Sequence, residues 1–261
     1  MQGSLTDADW NRRFGGIARL YGEEALGALS AATVTVIGVG GVGSWAVEAL
    51  ARSAVGGLRL IDPDHVAESN INRQLQALAS TLGRAKVEVL KERVAAINPV
   101  CEVRSLDQEA TADNLEQLIG PGDDWVIDCI DSARVKAAII AFCKRRKQPV
   151  LTVGGAGGRQ APGRARISDL RRTEQDPLLA RTRRQLRRDY GFPTNPRRRF
   201  GVPCVWSDEP QVVPSAPCDT VRDSSLNCAG FGACMPVTAT FGLLAAGHVI
   251  SAIAAEGRQS G

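Results

Sequence analysis

Over the first 158 residues, short apolar runs rich in β-branched side chains alternate with stretches whose apolar positions recur every three or four residues. Thr33 to Ile37 is the first short run, apolar enough for burial on both faces. It leads through the glycines of "VIGVGGVGSWAVEAL" into a helix from Ser44 to Ser53. "GGLRLIDPD" predicts a second strand ending at Asp62. "GRAKVEVLKERVAAINP" predicts a helix with Val87, Leu90, Val94 and Ile97 on one side, stopped by Pro99. "CEVRSLD" reads as a third strand, "TADNLEQLI" as a short helix opened by Thr111, and "DWVIDCID" as a fourth strand ending at Asp131. "ARVKAAIIAFCKRR" is a further helix, and "QPVLTVGGAGG" a fifth strand entering a second glycine turn. Regular alternation of strand and helix is the mark of a doubly wound, mostly parallel α/β sheet.

Beyond Gly158 the alternation breaks. "GRARISDL" suits an antiparallel strand, and "DPLLARTRRQLRRDYG" a helix with Leu178, Leu179 and Leu186 on one side. Residues 191–225 are rich in Pro, Ser and Arg, show no period and read as loop. Val237 to Ala255 is almost wholly apolar, close to the ~20 residues that span a bilayer. It contains His248 and two glycines and has no basic flank before it, so a buried helix closing the sheet is preferred over a membrane anchor.

With 44% hydrophobic and 23% charged residues in 261, the composition suits one substantial core in a soluble protein. "MQGSLTDADWNRRFGG" has no apolar segment of the secretory type. The seven cysteines form no C-x-x-C pair, which argues against a zinc ribbon and for reduced thiols in the cytoplasm. The net charge of +4 is unevenly placed. Arg159 to Arg199 holds thirteen arginines, no lysine and four acids, a basic island on a mildly acidic remainder. Such an island favours an acidic partner, RNA foremost, although a solvated arginine-rich helix has the same composition.

The first glycine turn brings backbone N–H groups and a helix N-terminus to a phosphate, and Asp62 stands where a carboxylate receives ribose hydroxyls. Both features serve NAD and ATP equally. "SNINRQL" then supplies Asn72, Arg73 and Gln74, and "GRAKVEVL" supplies Lys86. Two cations beside the phosphates suit cleavage of ATP between its α- and β-phosphates, where charge develops, better than hydride transfer, where none does. Asp131, at the carboxyl edge of the sheet, is placed to hold the Mg²⁺ that accompanies ATP. Taken singly, Lys86 also reads as a solvated helix residue and Asp131 as a helix cap.

In order and spacing, "GVGGVGSWAVEALARS", "LIDPDHV", "SNINRQL", "GRAKVEV" and "DCIDS" resemble the adenylation domain of the ubiquitin-activating-enzyme superfamily. That group includes the bacterial molybdopterin-synthase and thiamine-biosynthesis adenylyltransferases. The resemblance implies a Rossmann-like, ATP-binding adenylation core over residues 10–158, a basic substrate- or tRNA-binding extension over 159–236, and a helix packing on the core over 237–255. It also implies roles for individual residues. Gly38, Gly40, Gly41 and Gly43 would line the phosphates and Asp62 the ribose. Asn72 and Arg73 would touch phosphate with Gln74 beside them, Lys86 would bind the transferring phosphoryl group, and Asp131 would hold Mg²⁺. Arg73, Lys86 and Asp131 would be the catalytic set. A homodimer is implied as well, with Arg13 or Arg19 reaching the partner's site, because Gly16 stands where relatives have a second arginine.

The missing zinc pairs, Asp131-Ser132 in place of the usual Asp-Asn, and the segments "FGGIARLYG", "TVGGAGG", "DPLLARTRRQLRRDYG" and "VTATFG" are similar to one subfamily, the tRNA threonylcarbamoyladenosine dehydratases. This second resemblance covers nearly the whole chain. It implies ATP-dependent dehydration of the modified adenosine through an acyl-adenylate, with Arg181, Arg183, Arg184, Arg187 and Arg188 on the tRNA backbone. The likeness also admits a monovalent cation and a sulfur-relay protein partner. Cys228, in "NCAGFGAC", is the first candidate for a thiol role, against small buried residues in a close-packed turn. Three other functions compete: adenylation of the C-terminus of a ubiquitin-like sulfur carrier, an NAD-linked oxidoreductase, and a non-catalytic RNA-binding or sulfur-relay scaffold.

Overall fold

The computed structural model describes residues 6–212 and 231–260. Two helices, α1 (Asp7–Tyr21) and α2 (Glu23–Ala31), precede an alternating series: β1 (Thr33–Ile37), α3 (Gly43–Arg52), β2 (Gly57–Ile61), α4 (Lys86–Ile97), β3 (Glu102–Leu106), α5 (Leu115–Leu118), β4 (Trp125–Asp128), α6 (Ala133–Arg145) and β5 (Val150–Val153). The chain ends with β6 (Ala165–Asp169), α7 (Pro177–Tyr190), β7 (Pro203–Ser207) and α8 (Met235–Ser260). The seven strands form one sheet in the order β3-β2-β1-β4-β5-β7-β6, parallel except where β6 runs antiparallel to β7. The chain builds outward from β1 to β3, then crosses back to lay β4 on the other side of β1. The carboxyl ends of β1 and β4 therefore flank the switch point, where open α/β sheets bind ligands.

Period-2 patterning within the strands separates two cores, one on each face of the sheet. Val34, Val36, Leu58, Leu60, Ile127, Leu151 and Val153 meet α3, α4 and α8 on one face. Ile37, Val126, Val150, Cys204 and Trp206 meet α5, α6 and α7 on the other. The apolar C-terminal helix is long and apolar enough to cross a membrane by composition, but most of it is buried within the fold. Phe241, Ala245, Val249 and Ile253, one turn apart, form its buried stripe.

Three sequence expectations change. The stretch 191–225, read as loop, contains β7, whose Val205 and Cys204 are buried between β5 and β6. All its pairing is to distant segments, and its proline-led five residues carry no local strand signature. The fourth strand stops at Asp128 rather than Asp131, because the Asp128 carboxylate turns inward to accept the Ile130 backbone N–H (3.2 Å) and bends the chain. The short helix begins at Leu115 and not at Thr111, whose N–H donates instead to the Asn114 side chain (2.8 Å).

Candidate nucleotide site

Two glycines make the first turn possible. Gly38 has a left-handed φ of 83° and donates its N–H to Ile61 (2.8 Å); a Cβ there would lie 3.1 Å from the Cys129 carbonyl group. At Gly43 a Cβ would strike the carbonyl oxygen of Gly38, so only glycine lets α3 start so close to β1. Among the described residues no side chain caps the N-terminus of α3, whose positive end lies beside the glycine turn.

Asp62, just past β2, is buried with both oxygens engaged: Oδ2 accepts from Val39 N–H (2.8 Å) and Oδ1 from Asp64 N–H (2.9 Å). It thereby ties the glycine turn to the second strand. Burial pushes its carboxyl above the usual aspartate range, against the pull of the Lys86 charge and these N–H bonds. Lys86, the first residue of α4, is buried and places Nζ 2.6 Å from Asp64 Oδ2. It is not the solvated helix residue that its position on a polar surface would give.

Residues 69–74 fold over the turn. The Arg73 stem lies against Gly41, its Nη1 donates to Ser69 O (2.7 Å) and Asn72 Oδ1 (2.8 Å), and its backbone oxygen accepts from Trp45 Nε1 (3.0 Å). Partial burial lowers the guanidinium pKa. Gln74 is buried beside Gly40 and accepts from Gln76 Nε2 (3.3 Å). Asn72 donates to the Ala233 carbonyl (2.8 Å), and Gly158 N–H donates to Gly232 (2.7 Å). Residues 231–233 thus stitch the segment folded over the first glycine turn to the second glycine turn, where Phe231 covers Gly158. Sequence reasoning gave no sign of that link.

Asp131 stands in the loop between β4 and α6, half-buried at the switch point, and Ser132 rather than Asp131 occupies the cap position of α6. Beneath this loop lies a buried network that the sequence did not announce. Lys136, with no exposed side-chain surface, donates to Asp128 Oδ2 (2.8 Å), Asp128 O (3.2 Å) and Thr152 Oγ1 (3.1 Å), while Thr152 donates to Asp128 Oδ2 (2.7 Å). All three ammonium donors have acceptors, the condition under which a buried charge is tolerated. The available signals were an aspartate and a lysine inside the apolar runs "WVIDC" and "RVKAAII". The second turn has a similar support. Arg159 is buried against Asp176 (3.4 Å) and donates to the Gly155 and Ser207 carbonyls, while Asp176 accepts from Gly155 N–H and caps α7.

Of the two N-terminal arginines, Arg13 donates to Ala96 O (3.3 Å) and Ile97 O (2.8 Å) at the far end of α4, beside a cavity of about 460 Å³ shared with Arg52 and Arg93. Arg19 is exposed, with its guanidinium folded toward Gly15 and Gly16. The α7 arginines divide. Arg181, Arg184 and Arg188 are exposed, Arg188 pairing with Asp189 (2.6 Å), whereas Arg183 and Arg187 are half-buried. Cys228 lies outside the described residues. Burial pushes the thiols of Cys101, Cys129 and Cys143 up to about 12, and that of Cys204 well above its ordinary value, so none of these four is poised as a thiolate.

Comparison with known proteins places this geometry in a family. The tRNA threonylcarbamoyladenosine dehydratase of Haemophilus influenzae is 48% identical over 243 residues, covering 93% of each chain. The crystal structure of the Escherichia coli tRNA N6-threonylcarbamoyladenosine dehydratase in complex with ATP superposes with a TM-score of 0.89 at 46% identity, over 99% of this chain and 100% of that one. The molybdopterin-synthase adenylyltransferase of Salmonella typhimurium is 35% identical over 143 residues, 55% of this chain and 56% of that protein. The ThiF family model matches residues 15–260, and the chain belongs to the ThiF family.

Proposed function

We propose that the chain is an ATP-dependent dehydratase of N6-threonylcarbamoyladenosine in tRNA, acting in the cytoplasm. One observation carries this reading over the sulfur-carrier alternative. Likeness to the dehydratases runs through the second glycine turn, α7 and α8, whereas likeness to the carrier adenylyltransferase covers about half of the chain. In this reading the glycine turn and the N-terminus of α3 receive the phosphates of ATP, and Asp62 receives the ribose hydroxyls. Arg73, already seated over Gly41, is aimed at the triphosphate, with Asn72 and Gln74 holding the segment in place. Lys86 exchanges its bond to the exposed Asp64 carboxylate for one to the α-phosphoryl group.

Asp131 offers a hard oxygen donor at the switch point, the ligand type that Mg²⁺ takes when it shares its shell with phosphates. Asp131 would hold Mg²⁺ there, and the ion when bound would supply positive charge against the charge gathering on the phosphate oxygens. The threonyl carboxylate attacks the α-phosphorus, the bond to the β-phosphate oxygen breaks, and pyrophosphate leaves. A nucleophile of the same side chain then attacks the acyl carbon and expels AMP, closing a ring with net loss of one water. The intramolecular step gains a large effective concentration and needs no enzyme nucleophile. Cys129, packed against Gly38 with its thiol pushed up to about 12 by burial, is not such a nucleophile.

A homodimer belongs to the same proposal. Arg13 is committed to the end of α4, so Arg19 is the N-terminal arginine available to a partner's site. Incubation with ATP, Mg²⁺ and tRNA carrying the modified nucleoside, followed by nucleoside mass spectrometry, tests the function. Loss of one water from threonylcarbamoyladenosine is expected. An unchanged mass alongside pyrophosphate exchange that appears only when a sulfur carrier protein is added would move the chain to the alternative.

A further inference from the structure

The residue that follows "SNINRQL" is Gln76, a polar side chain only 2% exposed and packed against the first glycine turn. Its backbone is held by neighbours: the Thr81 hydroxyl donates to Gln76 O (2.7 Å), and Leu75 N–H donates to Ser44 Oγ at the start of α3 (3.3 Å). Its side-chain nitrogen has two acceptors. Nε2 donates to Val39 O (2.8 Å) and to Gln74 Oε1 (3.3 Å). The other end of the amide, Oε1, is buried with no hydrogen-bond partner among the described residues. A buried acceptor without a partner destabilises a fold. Turning the amide over would be worse, because Oε1 would then face two oxygens. Val39 therefore sets the orientation of Gln76.

That orientation carries through to the turn itself. Across the trans peptide between Val39 and Gly40, the Gly40 N–H points opposite to the Val39 carbonyl. With that carbonyl held on Gln76, the Gly40 N–H faces away from Gln76. Asp62 Oδ2 accepts from Val39 N–H (2.8 Å), so Val39 is clamped at both its polar groups. The effect on Gln74 is as direct. A donor of Gln76 occupies Gln74 Oε1, and the Gln74 amide turns its nitrogen to the glycines: Nε2 lies 3.7 Å from where a Cβ on Gly40 would stand. The positive end of the Gln74 amide dipole, not the negative end, faces the turn.

We propose that Gln76 is a positioning residue of the nucleotide site, an inference that rests on the ATP-binding reading above. Gln76 touches no substrate atom. Through one buried nitrogen it keeps donors, rather than acceptors, directed at the place that reading gives to the triphosphate. Without it the Gln74 amide can turn its oxygen to the phosphates and the Val39–Gly40 peptide can rotate. Each change sets an acceptor against an anion. Donors aimed in advance at developing charge are a main source of transition-state stabilisation, and they work only when supporting groups hold them still. The role is confined to the phosphates. Ribose falls to Asp62, whose bonds to the Val39 and Asp64 N–H groups do not involve Gln76.

The full-length protein should be compared as wild type, Gln76→Met, Gln76→Asn and Gln76→His. Methionine keeps the length but donates nothing. Asparagine keeps the amide but is one methylene short of Val39 O, and histidine keeps an N–H near the position of Nε2. Calorimetry gives the affinities for ATP and for adenosine, and single-turnover pyrophosphate release with modified tRNA gives the rate. Thermal melting recognises a folding defect. Gln76→Met and Gln76→Asn should each lose about tenfold in ATP affinity, the effect of one lost hydrogen bond, with adenosine affinity held within about twofold. Pyrophosphate release at saturating ATP should slow by about tenfold as well. Gln76→His should recover most of both losses. If Gln76→Met fails to fold, Gln76→Asn decides. ATP affinity and release rate equal to wild type in folded Gln76→Asn overturn the proposal. Equal losses for ATP and adenosine, with no recovery in Gln76→His, also overturn it and leave Gln76 a packing residue. Absence of ATP binding in the wild type would instead remove the reading beneath it.

Discussion

Asp62 and Arg73 show what single residues contribute and how readily a sequence reveals them. The place of Asp62 in the crevice was legible because a carboxylate at the end of the second strand, beside a glycine turn, lies at the edge of the sheet where ligands bind. Its burial was not, and burial sets its pH behaviour. With a folded pKa raised by desolvation, the carboxyl takes up its proton above the ordinary aspartate range as pH falls, and its neutral form favours the folded state in acid. Stability from the neutral form is present below the ordinary aspartate pKa and is lost as pH rises through the folded value. In the proposed function the effect runs the other way, since there the ionised carboxylate accepts the ribose hydroxyls. ATP affinity measured calorimetrically from pH 7 downward should therefore begin to fall before exposed aspartates titrate. Asp62→Asn should bind weakly throughout, with a flattened profile. Arg73→Ala should keep the fold, because among the described residues its guanidinium bonds to Ser69 and Asn72, both within its own loop. It should cost about 10²-fold in kcat, the usual loss when a preorganised charge is withdrawn from a developing anion. Single-turnover release of pyrophosphate measures that loss directly.

Elements show why some residues stayed hidden. In "ARVKAAIIAFCKRR" one lysine among apolar residues reads as the solvent face of an amphipathic helix. In the fold α6 is covered on both sides, by the sheet and by α7, so Lys136 points into the sheet at Asp128 and Thr152. Only the placement of β5 beside β4 could reveal that pairing, because the three residues come from three elements. Removing one partner strands a buried charge. Lys136→Met should destabilise the protein by about 3–5 kcal/mol in urea unfolding. Lys136→Met combined with Asp128→Leu removes both charges and should recover much of that loss. Asp128→Leu also takes the acceptor from the Ile130 N–H, so the loop carrying Asp131 should be displaced and the double variant should bind ATP·Mg²⁺ more weakly than the parent. Full ATP affinity in a stable double variant would reduce the network to a packing device.

For the whole molecule, alternation of strand and helix through Gly158 was enough to give the doubly wound sheet. The far edge was not legible, since β7 completes the sheet through contacts with β5 and β6 that no local pattern encodes. The C-terminal helix is the sharpest case. By composition alone α8 suits a bilayer, but its environment is asymmetric: Val249 has no exposed surface, while Leu243 is 50% exposed. A membrane helix would resist a charge at either position, but a core helix discriminates between them. Leu243→Lys should shift stability by no more than about 0.5 kcal/mol, the range of ordinary surface changes. Val249→Lys forces an ammonium between α8 and the sheet and should leave little folded protein. Chemical denaturation of the two variants, with flotation of the parent on lipid vesicles, separates the alternatives. If Leu243→Lys unfolds the chain as thoroughly as Val249→Lys, or if it strips the parent's binding from vesicles, the exposed face of α8 has a partner in the membrane. Equal stability of Leu243→Lys and the parent, with no vesicle binding by either, makes the helix an internal pillar. It then packs against α2 and α3 and, through Thr238 beside Gly41, braces the first glycine turn.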